Sequence, residues 1–66
     1  MIAEDYTKAK DVLVKLENSK DTIEVPKILI PKVLIMMDRL YSEGDFEYMI
    51  YGETAHVLRT KTFVKR

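Results

Sequence analysis

The sequence predicts an α+β fold, with two helices followed by a C-terminal two-stranded antiparallel hairpin. Three observations support this. Apolar residues recur at helical spacing near the N-terminus, a proline falls inside a central apolar run, and two alternating stretches flank a glycine near the C-terminus. With 66 residues, the chain is expected to form one small domain over residues 1–66.

The first helix is predicted at about residues 3–17. Apolar side chains fall on one helical face there, at spacings of three and four residues; they are Ile2, Tyr6, Ala9, Leu13 and Leu16. Residues 18–21 then favour a turn, because Asn, Ser and Asp side chains compete for backbone hydrogen bonds. Residues 22–25 alternate β-branched and polar side chains, which is typical of a short half-buried strand.

Pro31 determines where the second helix begins. Inside a continuous helix it would delete a hydrogen bond and clash with the preceding turn, at a cost of about 3 kcal/mol. At the first helical position it is well tolerated. We therefore predict a short extended or single-turn piece at residues 27–30, then a helix at residues 31–43 with Gly44 as its capping glycine.

The hairpin is predicted from strands at residues 46–51 and 55–60. Gly52 suits the first central position of a two-residue type II′ turn, a register that pairs Tyr51 with Thr54. The same register pairs Tyr48 with Val57. The face predicted to pack on the helices comprises Phe46, Tyr48, Ile50, Ala55, Val57 and Arg59. The opposite face comprises Glu47, Met49, Tyr51, Thr54, His56 and Leu58.

Composition limits the possible location of the protein. The chain has no cysteine, which excludes thiolate metal sites and thiol catalysis and favours a cytoplasmic location. The acidic N-terminus lacks the basic start and apolar centre of a signal peptide. The longest apolar run is interrupted by Lys27 and Lys32 and is shorter than the roughly 20 residues of a spanning helix, so no membrane span is expected.

No pattern in the sequence indicates catalysis or cofactor binding. His56 is the only histidine, and zinc needs three or four ligands at suitable spacing. No Ser or Thr is marked by an activating base. With Gly44 and Gly52 as the only glycines, there is no glycine-rich phosphate loop. We therefore expect a protein that is not an enzyme and has no metal, cofactor or small-molecule substrate.

Charge is balanced overall but unevenly distributed. Residues 1–53 contain all eleven acidic residues and seven basic ones, whereas residues 54–66 contain four basic residues and no acid. We predict that residues 61–66 form a basic tail. Such a segment can contact phosphates or an acidic partner, or simply be solvated.

The order helix, short strand, turn, helix and hairpin resembles a reduced winged helix-turn-helix domain. The resemblance is carried by residues 11–16, by residues 22–25 as the first strand, and by residues 38–48 as helix end, glycine and first wing strand. It implies a small dimeric DNA-binding transcription regulator whose second helix enters the major groove. The DNA-contacting residues would be Lys27, Lys32 and Arg39, helped by Arg59, Lys61, Lys65 and Arg66.

The same helix supports an alternative, a protein-interaction module or inhibitor. Residues 33–37 are all apolar, whereas a helix that reads base edges needs polar side chains. A helix that is apolar nearly all round must be covered on several sides, which favours a homodimer or a partner protein on residues 31–43 and on the outer hairpin face. The residues predicted at such an interface are Val33, Ile35, Met36, Met37, Met49, Tyr51 and Leu58.

Overall fold

A computed structural model describes residues 2–66 of the protein, with side chains described from Asp5 onward. Its elements, in chain order, are α1 (Ile2–Glu17), β1 (Ile23–Pro26), a 3₁₀ turn (Lys27–Leu29), α2 (Ile30–Leu40), β2 (Tyr41–Tyr51) and β3 (Thr54–Lys65). The strands form one antiparallel sheet in the order β1-β3-β2, and both helices pack against it. The α+β class and the two helices are confirmed.

The apolar face of α1 forms one side of the core, as the spacing predicts. Ala9, Leu13 and Leu16 are fully buried, while Tyr6 is half-buried. The predicted side-chain position of Ile2 lies outside the described residues. The helix therefore owes its position to a stripe of side chains that recur every three or four residues.

The predicted break before α2 is confirmed, but the predicted end of the helix is wrong. A single turn precedes α2, and Pro31 lies in the first turn of the helix, where no intrahelical donor is lost. The helix ends at Leu40 rather than residue 43, because Tyr41 is extended with φ −127° and ψ 140°. The Tyr41 ring is buried against Phe63 at a centroid distance of 5.0 Å, and this tertiary contact draws the chain into the sheet.

Gly44 is a strand residue rather than the predicted helix cap. It has φ +144° and lies where the pairing of β2 with β3 shifts register. A Cβ on Gly44 would lie 2.6 Å from Met37 Cε and 2.6 Å from Phe63 Cδ1. Glycine is needed at this point because α2, β2 and β3 approach each other too closely for a side chain.

The sheet has three strands rather than the two of the predicted hairpin, because β1 pairs with β3 from Ile23 opposite Val57 to Pro26 opposite Thr54. The predicted hairpin register is confirmed, with Tyr51 opposite Thr54 and Tyr48 also opposite Val57. Gly52, at the first central position of the turn, has φ +61°. Glu53, at the second, does not have a positive φ, because no described non-glycine residue has one. This combination is the one that a type II′ turn requires.

Residues 61–65, predicted to belong to a basic tail, extend β3 instead. The physical reason is Phe63, whose buried ring reaches the core only if the chain continues as a strand. Arg66 is anchored next to α2, since its backbone N–H donates to the Leu40 carbonyl at 3.0 Å. Its Nε also donates to the Asp38 carbonyl at 2.9 Å.

The helix-facing side of the sheet is only partly covered. Phe46, Ala55 and Val57 are buried as predicted, whereas Tyr48 and Ile50 expose 42% and 46% of their surface. Both exposed residues belong to the half of β2 nearest the hairpin turn, at the edge of the sheet. The expectation that Tyr48 and Ile50 pack under the helices is therefore met only in part.

Candidate binding surfaces

The solvent side of α2 and of the turn before it presents an apolar surface, here called the helix face, formed by Ile28, Pro31, Leu34 and Ile35. Ile28, Leu34 and Ile35 expose 71%, 47% and 41% of their surface, and Pro31 is also exposed. Pro31 stands three residues before Leu34 and four before Ile35, so the three lie on one side of α2. Large apolar patches of this kind mark contact sites on small proteins.

The helix face continues into a shallow depression between α2 and the first half of β2. Leu34, Met37, Tyr41 and Gly44 line it, and its volume is about 250 Å³. Asp38, Ser42, Glu43 and Arg66 also line it, so the depression is polar as well as apolar. The exposed apolar side chains of the helix face itself, rather than this depression, are therefore the feature that suits a protein partner.

The interface predicted from the sequence is only partly available at the surface. Val33 is fully buried, and Met36 and Met37 pack against the core. These three side chains fill the domain's own interior, because α2 turns this side toward α1 and the sheet. Of the other residues in the predicted interface, Ile35, Met49 and Tyr51 are exposed and Leu58 is half-buried.

The sheet face opposite the helices, here called the open sheet face, has the composition predicted for it. Glu47, Met49, Tyr51, His56 and Leu58 line one shallow depression of about 360 Å³. The Tyr51 and His56 rings lie 4.9 Å apart, and the Tyr51 hydroxyl donates to Met49 Sδ at 3.6 Å. These contacts fix the side chains against one another, but they place no nucleophile beside a base.

Two of the cations predicted to contact DNA have a carboxylate partner within the chain. Lys27 Nζ lies 3.7 Å from Glu53 Oε1, and Lys32 Nζ lies 3.6 Å from Asp5 Oδ2. Both pairs are partly exposed, so each contributes little to stability. They nevertheless lower the positive potential beside the helix face.

Arg59 faces the helices, as the predicted register requires, and it has a structural contact there. Its Nη1 donates to the Glu17 carbonyl at 3.2 Å. This carbonyl lies at the C-terminus of α1, where a cation is favourable because the helix dipole is negative at that end. Lys61 lies elsewhere, on β3 opposite Asp45 of β2.

The remaining predicted cations meet around the C-terminal end of α2, in what we call the basic end. The guanidinium of Arg39 lies 5.6 Å from the centroid of the Tyr6 ring, a cation–π distance. Lys65 and Arg66 line a depression of about 290 Å³ together with Lys10. Lys10 was not predicted at this site, because only the folded structure brings α1 beside the end of β3.

Tyr41 connects this end of the molecule to the core. Its hydroxyl donates to Glu17 Oε1 at 3.0 Å. Burial raises the pKa of Tyr41 above its ordinary value, and the hydrogen bond to Glu17 and the negative charge of that carboxylate raise it further. The phenol is therefore held neutral, as a structural donor rather than a reactive group.

Neither a metal cluster nor a spanning segment occurs in the described part of the chain. Within residues 5–66, no three His, Asp, Glu or Cys side chains are placed to hold a metal ion. Of the helices described, neither is long and apolar enough to cross a membrane. Comparison with protein-family models, curated proteins and solved structures finds no match to this chain. Its function therefore has to be argued from its surfaces.

Proposed function

We propose that this protein is a small non-enzymatic interaction module that binds another protein through the helix face. The observation that carries the proposal is the exposure of Ile28, Leu34 and Ile35 beside Pro31 on one side of the molecule. Fully burying an exposed apolar side chain of this size contributes roughly 1.5–3 kcal/mol. Because the three residues are 41–71% exposed, a partner that covers them gains roughly 2–5 kcal/mol, a substantial part of the ~8 kcal/mol of a micromolar complex.

Charge supports the same proposal. Lys27 and Lys32, the basic residues beside the helix face, already lie near Glu53 and Asp5. Phosphate binding would have to compete with these carboxylates, and base reading needs polar side chains where Leu34 and Ile35 lie. Desolvating an apolar surface carries no such cost, so a protein partner is favoured at this position.

A matched pair of lysine substitutions tests the proposal. Leu34→Lys places a charge in the helix face, whereas Val64→Lys places the same charge at a site of similar exposure on β3 (47% against 43%). Wild type and both variants are immobilised, and proteins retained from a lysate of the native host are quantified by mass spectrometry. We expect at least one protein to be retained by wild type and Val64→Lys and lost with Leu34→Lys.

Two results would contradict this function. One is that wild type retains no protein above a blank column, and the other is that Leu34→Lys retains the same proteins as Val64→Lys. Circular dichroism of both variants ensures that loss of fold is not mistaken for loss of binding. Calorimetry with the purified partner should give a negative heat-capacity change, which is the marker of apolar burial.

We propose DNA binding by a regulator of winged-helix type as the second candidate, now through the basic end rather than the helix face. The observation that favours it is that Lys10, Lys65 and Arg66 line one depression at the end of α2, whose last turn also contains Arg39. The winged-helix type itself rests on the resemblance of the element order, in which a terminal hairpin follows the second helix. Four cations can neutralise phosphates on one side of a duplex.

Salt dependence tests the second candidate. If four cations meet phosphates, log affinity for a short random-sequence duplex should fall with log salt at a slope of about −3.6. Lys65→Gln should reduce the slope by about 0.9. Lys27→Gln is the matched control, because Lys27 lies in an ion pair away from this end. Absence of duplex binding at low salt would exclude this candidate and leave the helix face untouched.

A further inference from the structure

The outer edge of β2 lacks the usual protection of an edge strand near the hairpin turn. β2 spans Tyr41–Tyr51 at one border of the sheet and contains neither proline nor lysine. At the other border, β1 is only four residues long and ends at Pro26. Short edge strands, prolines, bulges and charged side chains are the means by which proteins prevent pairing with another chain. On β2 the register shifts end at Phe46 and the last acid is Glu47, so the open part of this edge begins there.

The hairpin geometry identifies which backbone groups point outward. Tyr51 and Thr54 flank a two-residue turn, so they form a pair that exchanges both backbone hydrogen bonds. Every second pair along the ladder is of the same type. The residues between these pairs, Phe46, Tyr48 and Ile50, therefore direct their N–H and C=O groups away from β3. We call the backbone of these three residues the free edge.

A side-chain hydrogen bond agrees with this direction. The N–H of Phe46 donates to Asp45 Oδ1 at 2.8 Å, as expected of an amide that points away from β3. Tyr48 and Ile50 have no comparable backbone partner on that side among the residues described here. Their side chains are also the exposed ones on the helix-facing side of the sheet. Unpaired backbone and uncovered apolar surface thus coincide at the same two residues.

We propose that the free edge pairs with the free edge of a second copy of this chain. The strands run antiparallel about a two-fold axis at Tyr48, so that Tyr48 faces Tyr48 and Phe46 faces Ile50. In each copy the Tyr48 amide donates to the Tyr48 carbonyl of the other, and the Ile50 amide donates to the Phe46 carbonyl. The result is one continuous sheet across both copies. This interface does not use the helix face and is independent of the proposed function.

The charge pattern of β2 fits a second copy in this register. With the axis at Tyr48, Glu47 faces Met49 and Asp45 faces Tyr51, so no acid opposes an acid from Asp45 to Tyr51; Glu43 faces Glu53 only beyond the regular part of β2. Outward-pointing residues also face one another when the axis lies at Glu47 or Met49, and again at Phe46 or Ile50. An axis at Glu47 would bring two copies of Glu47 together, and an axis at Phe46 would bring Asp45 opposite Glu47; like charges destabilise both pairings.

The registers nearer the turn also bring acids together. An axis at Met49 would bring Asp45 opposite Glu53, and an axis at Ile50 would bring Glu47 opposite Glu53 and leave fewer residues paired. Of these registers, the one centred on Tyr48 places its opposing acids farthest from the axis, outside the regular part of β2. It is therefore the register in which we expect two copies of β2 to pair.

The small extent of the contact indicates a weak dimer. Backbone pairing involves only residues 46–50 of each copy, whereas a standard interface buries about 800 Å² per partner. We therefore expect a concentration-dependent dimer with a dissociation constant between about 1 µM and 1 mM.

Amide hydrogen exchange measured by NMR at low and high protein concentration tests the proposal without any substitution. The Met49 amide bonds to β3 in every state and should be protected at both concentrations. The Tyr48 and Ile50 amides should exchange freely when dilute and become protected as sedimentation equilibrium reports dimer. A chain that stays monomeric at millimolar concentration overturns the proposal, as does a dimer in which these two amides remain unprotected.

Substitutions at the axis give a second test. Tyr48→Pro removes only an outward-pointing amide and should weaken the dimer roughly tenfold or more, whereas Tyr48→Thr keeps that amide and should still dimerise. If the proline variant does not fold, Tyr48→Lys serves instead, because it places two like charges face to face and should weaken the dimer at low salt. If Tyr48→Lys folds and dimerises as strongly as wild type, this interface is refuted.

The two proposals can fail separately. Tyr48→Lys should leave protein capture by the helix face unchanged, and Leu34→Lys should leave the free-edge dimer unchanged.

Discussion

Replacing Gly44 by alanine should destabilise the protein far more than the same change at Gly52. Both glycines have positive φ, but their surroundings differ. A Cβ at Gly52 has no atom within 4 Å, whereas a Cβ at Gly44 lies 2.6 Å from Met37 Cε and Phe63 Cδ1 and 3.2 Å from Phe63 Cα. The side-chain atoms can shift, but the Phe63 backbone is held within the β2–β3 pairing.

The magnitude follows from two contributions. Holding a non-glycine residue at φ +144° costs about 1–3 kcal/mol, and overpacking a closed interior costs about 1–3 kcal/mol. Gly44→Ala should therefore cost roughly 2–6 kcal/mol, and Gly52→Ala, which carries only the backbone cost, about 1–3 kcal/mol. A domain of 66 residues has about 3–10 kcal/mol of stability in total. The first variant should be close to unfolded at room temperature, and the second should remain folded.

Urea unfolding followed by circular dichroism measures both costs. Met37→Leu combined with Gly44→Ala removes the Met37 Cε atom and should recover part of the packing cost but none of the backbone cost. Equal destabilisation by Gly44→Ala and Gly52→Ala would refute the argument, because it would mean that α2, β2 and β3 do not converge at Gly44.

Three further substitutions test contacts around the core. Tyr41→Phe deletes the hydrogen bond to Glu17 and should cost about 1 kcal/mol. Because the pKa of Tyr41 is raised in the folded protein, its neutral form stabilises the fold fully below about pH 10, and this stability is lost as the pH rises further. In thermal melts, the loss of melting temperature above pH 10 should therefore be smaller for Tyr41→Phe than for wild type. Arg59→Met removes the donor to the Glu17 carbonyl and should lower the free energy of unfolding, measured in urea, by about 1–2 kcal/mol. An unchanged free energy of unfolding would mean that this hydrogen bond contributes nothing. Lys27→Gln should change the unfolding free energy by less than about 0.5 kcal/mol, because its pair with Glu53 is exposed; a larger loss would contradict this.

Elements specified by local signals could be predicted from the sequence. The spacing of Ala9, Leu13 and Leu16 locates the buried side of α1. Pro31 predicts the break before α2, and Gly52 predicts the hairpin turn and its register. Each of these depends on the backbone preferences of a few neighbouring residues.

Features set by distant contacts were missed. The end of α2 depends on the contact of Tyr41 with Phe63, which is remote in sequence. Gly44 fits the local pattern of a helix cap, but in the structure it lies in a strand where neighbouring elements leave no space for a side chain. The short strand predicted at residues 22–25 is present as β1, but its pairing with β3, with Ile23 opposite Val57, was not predicted. Local propensity cannot supply these pairings, because they depend on which segments meet in the core.

The candidate surfaces were also predicted only in part, because burial depends on contacts between distant segments. Ile35 and Met49 were predicted to be exposed at an interface, and both are exposed. Leu34 was overlooked because a nearly all-apolar helix does not reveal which side faces the core. Val33 was placed at the interface for the same reason, although it is fully buried. Helical spacing identifies a face, but only the packing partners determine which face becomes the surface.

The two halves of β2 serve different purposes, and Gly44 accounts for the division. On its N-terminal side, the shifted register lets Tyr41 reach the core and keeps the edge irregular. On its C-terminal side, pairing with β3 is regular from Phe46 to Tyr51, which leaves an even row of outward amides. An irregular edge resists pairing and a regular one permits it. If the free edge pairs with a second copy, that contact should be confined to the regular half, and a substitution at Tyr48 should weaken it while one at residue 42 should not.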